Sequence, residues 1–129
     1  MARNNLTDAQ IEEGKNGVIY GSPQPLHQHN DCIRIAYEWL DAQRKISGPQ
    51  KLMFPLKHLI EKWGGRYVSQ SDVEVAAYLH PSIRGRYPFY NISARLTLPA
   101  EDRLEDISEA YAHDNYREGL RTDAYSAKE

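Results

Sequence analysis

His27, His29 and Cys32 fall within the run His27-Gln28-His29-Asn30-Asp31-Cys32, and imidazole and thiolate are both ligands of first-row metals. With His58, His80 or His113 as a distant fourth ligand, such a run could hold zinc and support a small metal-dependent enzyme. Two features oppose that reading. Cys32 falls on the apolar stripe of the helix that follows, and Asn30-Asp31 has the composition of a helix start. The two histidines are therefore read as polar residues of a loop, and no metal is expected. Nucleophilic catalysis would need Cys32 or a serine beside a base, with a third group to orient that base. Local sequence places neither His58 nor His80 for this. There is no Gly-rich phosphate loop and no H-E-x-x-H, and no carboxylate pair stands out from surface charge. The expectation is a protein that is not an enzyme and uses no cofactor.

A second constellation points to recognition. In Arg84-Gly85-Arg86-Tyr87-Pro88-Phe89-Tyr90-Asn91-Ile92-Ser93-Ala94-Arg95, guanidinium groups alternate with aromatic rings. Guanidinium supplies forked donors for phosphate or carboxylate. A flat ring offers a face on which a base or another guanidinium can stack, worth about 1–3 kcal/mol in single-strand binders. Gly85 lets the backbone come close to a ligand. Arg84, Arg86, Tyr87, Tyr90, Asn91 and Arg95 are the candidate partner-binding residues. Composition agrees, because nine Tyr against two Phe suits contact surfaces better than a dry core. So does charge. Residues 1–43 sum to −3, residues 44–103 to +5 and residues 104–129 to −4, so the candidate segment lies in the basic middle of an otherwise acidic chain.

The elements that must position these residues read as helices. Leu6-Thr7-Asp8-Ala9-Gln10-Ile11 carries a Thr cap, a Gln three residues on and two staple positions, which predicts a short helix closed at Gly14. Val18-Ile19-Tyr20 is the β-type run of the first half. Asn30 is expected to cap a helix from Asp31 to about Lys45, in which Cys32, Ile35, Ala36, Trp39 and Leu40 recur at helical spacing. Pro55 opens a helix with Leu56, Leu59, Ile60 and Trp63 on one stripe, stopped at Gly64-Gly65. Ser71-Asp72-Val73-Glu74 reads as a capping box for a helix ended by Pro81. Further helices are predicted from Pro88, with Phe89, Ile92 and Leu96, and from Pro99, with Leu104, Ile107 and Tyr111. The fold class expected is an all-α orthogonal bundle of five or six short helices, with at most a minor β element near residues 18–20. It forms one helical domain over 1–113, followed by an extended or disordered tail over 114–129.

With 129 residues and a net charge of −2, one compact domain is the default. No apolar run approaches the roughly 18 residues of a membrane span. Met1-Ala2-Arg3-Asn4-Asn5 leads into polar residues without an apolar signal region, and the lone Cys32 forms no internal disulfide. A cytoplasmic protein without membrane contact is expected.

Two functional readings follow from the basic segment. Three helices within residues 56–96 could form a variant helix-turn-helix of a DNA-binding regulator. However, the eight or so residues from His80 to Tyr87 exceed the three or four of the usual turn. The stretches His29 to Gln43 and Trp63 to Leu96 resemble, in general texture, the small stand-alone accessory proteins of phages and prophages. That resemblance implies a non-enzymatic protein that binds one macromolecule in the host bacterial cytoplasm, to redirect or block a host system, as a counter-defence inhibitor does. The expected partner is a host protein complex or a nucleic acid, with a homodimer as a further option.

Overall fold

The computed structural model describes residues 6–129, apart from the side chain of Asp114. Met1 to Asn5 lie outside the described residues. The chain is mostly helical, with α1 (Asp8–Gly17), α2 (Asn30–Asp41), α3 (Leu56–Gly64) and α4 (Gln70–Leu79). Four two-residue strands accompany them: β1 (Gly85–Arg86), β2 (Phe89–Tyr90), β3 (Thr97–Leu98) and β4 (Ala127–Lys128).

Side-chain caps start α1, α2 and α4. Thr7 accepts the Gln10 amide while the Gln10 side chain accepts the Thr7 amide, satisfying two donors that a helix start leaves unpaired. The helix does not stop at Gly14. It continues to Gly17, and Gly14 sits inside it because a Cβ there would lie 3.0 Å from Leu79 of α4. The second box uses Ser69 and Asp72 rather than Ser71 and Glu74. The cap of α2 is His29, whose Nδ1 accepts the Asp31 amide at 2.9 Å. α3 ends as expected, with Gly65 in the left-handed conformation at φ 64°.

α2 is the centre of the core. Cys32, Ile33, Ile35, Ala36, Trp39 and Leu40 are all fully buried, and they meet Val73, Val75 and Ala76 of α4 and Ile60 and Trp63 of α3. Contact at the end of α3 is close enough that a Cβ on Gly64 would lie 2.5 Å from Ile35 Cγ2. Burying two Trp rings requires partners for their N–H groups. Trp39 donates to the Tyr125 hydroxyl at 3.0 Å, and Trp63 to the Pro99 carbonyl at 3.1 Å.

The structure departs from the sequence reading in further places. Residues 18–20 form no strand, and the β structure lies elsewhere. Residues 88–96 form no helix: β1 and β2 make an antiparallel hairpin, with Gly85 opposite Tyr90 and Arg86 opposite Phe89 around a cis Tyr87–Pro88 bond. After Pro99 there is one 3-10 turn, Glu101–Leu104, in place of a helix. Five or six α-helices thus become four among the described residues. The segment 114–129 is built into the fold. It forms two 3-10 turns and then β4, parallel to β3, while Arg103 grips the Glu129 carboxylate.

Candidate functional site

The hairpin is held from behind by a strap, residues 44–50, which follows α2. Ser93 donates to the Arg44 carbonyl at 2.8 Å, Ile46 to the Asn91 carbonyl at 2.9 Å, and Gln50 to the Tyr90 carbonyl at 3.0 Å. Lys45 and Ile92 form an antiparallel bridge. Side chains complete the join. Gln50 Nε2 donates to the Ile92 carbonyl at 3.1 Å, and Asn91 Nδ2 donates to the carbonyls of Ile46 and Ser82 at 3.3 and 3.0 Å. Asn91 Oδ1 accepts the Arg84 amide at 2.6 Å. The hairpin needs Gly85 in β1, whose φ of 110° L residues rarely adopt and where a Cβ would meet the Phe89 carbonyl oxygen at 2.6 Å.

The six candidate residues divide into two groups. Arg84, Arg86 and Arg95 are exposed, and among the described residues none of them takes part in an ion pair. Tyr87 is half-buried and its hydroxyl accepts the Lys57 amide at 3.3 Å. Tyr90 and Asn91 point the other way, being 3% and 7% exposed. Alternation along β2 explains Tyr90, since Phe89 faces out and the next residue must face in. Burial pushes the Tyr90 phenol well above the ordinary tyrosine range. Both residues hold the hairpin in place, and neither adds to the exposed basic surface.

The strap adds residues that the sequence reading did not select. Arg44 and Lys51 are exposed cations without an ion pair among the described residues, and Leu52 and Met53 are apolar side chains 58% and 72% exposed. A signal for this was available in the charge order. Residues 42–60 and 75–100 contain no Asp or Glu at all, and the fold pairs these two carboxylate-free stretches. What local sequence could not show is that they would be neighbours. The resulting face carries Arg44, Lys51, Arg84, Arg86 and Arg95, interspersed with the exposed Ile46, Leu52, Met53 and Phe89. Such a face attracts an acidic surface at long range and offers apolar groups for contact once it arrives.

His27, His29 and Cys32 do not converge. The ring nitrogens of His27 lie 2.8 Å from Asp72 Oδ1 and 2.8 Å from the Tyr20 hydroxyl, which ties the loop after α1 to the start of α4. His29 caps α2. Cys32 is fully buried, its Sγ donates to the Tyr67 carbonyl at 3.3 Å, and burial pushes its thiol up to about 12. A thiol in that state is neither a ready nucleophile nor a ready ligand. Among the described residues no group of three or more His, Cys, Asp or Glu is placed to hold a metal ion. No helix among them is long and apolar enough to cross a membrane.

Next to the hairpin, on the α1 and α4 side, lies an open cleft of about 430 Å³. Val18, Ile19, Ile83 and Tyr87 line it together with Glu74, Tyr78, Arg86 and Tyr90. Comparison with known protein families, with curated proteins and with solved structures finds no match to this chain.

Proposed function

We propose that this chain is a non-enzymatic binding protein that docks onto an acidic protein surface through the face built from residues 44–53 and 82–95. The observation that carries this reading is the pairing of two carboxylate-free stretches, which gathers five cations without ion pairs among the described residues around exposed aliphatic and aromatic side chains. A partner of protein type is favoured over a nucleic acid by those side chains. Met and aromatic residues are enriched in protein interfaces, whereas Leu52 and Met53 would find no counterpart on a phosphate backbone. The variant helix-turn-helix over 56–96 would need a reading helix where the chain forms the β1–β2 hairpin, which also favours the protein partner. The resemblance to phage accessory proteins extends the proposal: the partner is a component of a host system, and docking blocks or redirects it.

Affinity capture from a bacterial lysate, with and without nuclease, tests the class of partner. The expected result is one protein or complex retained equally under both conditions and released as salt is raised. Retention that disappears with nuclease, or that tracks duplex DNA with a steep salt dependence, would replace this reading with nucleic-acid binding.

A further inference from the structure

Within the cleft beside the hairpin, Glu74 is 6% exposed, and its two oxygens are treated differently. Oε2 accepts the Gly21 amide at 2.8 Å, while Oε1 is buried with no hydrogen-bond partner among the described residues. A buried carboxylate oxygen without a donor is costly and is rarely left so. The rings of Tyr78, Tyr87 and Tyr90 form the walls beside it. Tyr78 is fixed over the end of α1, where a Cβ on Gly17 would come within 2.5 Å of its hydroxyl.

We propose that this cleft binds a primary ammonium carried on a short apolar or aromatic stem, with the ammonium on Glu74 Oε1 and the stem between Tyr78, Tyr87 and Tyr90. Each part of the ligand follows from a feature of the wall. A buried carboxyl oxygen with no donor calls for one from outside, and a charged N–H donor makes the strongest such bond. One unpartnered oxygen suits the compact ammonium, whereas a guanidinium fork would want both. The tyrosine faces attract a cation and cover an apolar stem. Arg86 at the rim is exposed and positive, so the outer end of the ligand is not cationic, which excludes polyamines. The volume falls in the range of about 300–1,000 Å³ usual for small-molecule sites. Arg86 is the one cation shared with the basic face, and the inference does not depend on macromolecular docking.

Titration of the full chain with 2-phenylethylamine, followed by calorimetry or by NMR shifts of the Tyr78 and Gly21 resonances, tests this directly. A lysine side chain carries the same ammonium, so Nα-acetyl-lysine amide is the second probe, and the tighter of the two identifies the source. The neutral shape match 2-phenylethanol should bind about tenfold more weakly than 2-phenylethylamine, and Glu74→Gln should weaken amine binding about tenfold or more. Tyr78→Ala, at a half-exposed wall position, should weaken it several-fold while the far-UV dichroism stays native. It also decides the matter should Glu74→Gln fail to fold. Three results would each overturn the proposal: equal binding of amine and alcohol, amine binding unchanged in a folded variant, or no binding of either amine up to millimolar concentration.

Discussion

At the scale of single residues, what stands out is how few polar groups near the core are idle. His80 Nδ1 accepts the Ser82 amide, which leaves Nε2 to donate to Asp41 Oδ1 at 2.7 Å, and Arg103 reaches Asp41 Oδ2 at 3.0 Å. The His80 hydrogen bond, helped by Arg103 and opposed by partial burial, holds the Asp41 carboxyl well below its ordinary value of 3.8. A carboxyl depressed in the folded state stabilises it above the unfolded pKa, and that stabilisation is lost as pH falls through the folded value. Melting temperature should therefore decline on acidification below about pH 4, and Asp41→Asn should flatten that decline relative to the parent. Superimposable acid limbs would show that the Asp41 ion pairs do not contribute. Residue type alone made part of this legible. Cys32 on an apolar stripe is buried as its spacing required, while the inward turn of Tyr90 and Asn91 depends on a strand that no residue type announces.

Among the elements, the helices with strong local signals form, though their caps and ends shift by a few residues, and those whose signals compete with distant contacts do not form. Ser69, which caps α4 in place of the expected Ser71, illustrates the first case. Its Oγ accepts the Asp72 amide at 3.0 Å and donates to the Leu26 carbonyl. Ser69→Ala should cost about 1–2 kcal/mol of stability, as loss of an N-cap usually does, and chemical denaturation would measure it. An unchanged midpoint would put the start of α4 elsewhere. Residues 88–96 illustrate the second case. Pro88, Phe89, Ile92 and Leu96 have helical spacing, and Ile92 and Leu96 are indeed buried, but as extended chain. The backbone groups of Tyr90, Asn91 and Ser93 are taken by the strap that follows α2, and Gly85 at φ 110° closes a tight hairpin. Partners some 45 residues away, such as Ile46 for Asn91, leave no trace in local periodicity. The candidate surface was legible in the same partial way: Arg84, Arg86 and Arg95 from their own segment, Arg44, Lys51, Leu52 and Met53 only after folding.

For the molecule as a whole, the C-terminal segment closes the structure. Tyr125 accepts the Trp39 indole, and Glu129 pairs with the buried Arg103, which also holds Glu38 at 2.7 Å. Residues 114–129 read as an extended or disordered tail because they offer little to bury, yet a few buried polar contacts outweigh weak hydrophobicity when they satisfy groups already inside. Deleting residues 125–129 should lower the melting temperature by several degrees, since it leaves the Trp39 N–H unpaired and removes a partner from Arg103. A truncated chain that melts with the full-length protein would show the segment to be peripheral. The basic face stands apart from this closure, being exposed and without ion pairs among the described residues, so charge can be removed there without loosening the core. Affinity for the captured partner, measured for the parent and for Arg84→Ala/Arg86→Ala alongside their melting temperatures, separates docking from folding. Two arginines in a desolvated contact should together contribute enough that binding weakens about tenfold or more, about 1.4 kcal/mol, while the melting temperature stays within about two degrees, as expected for exposed positions. Full affinity in the folded double variant would contradict docking through this face.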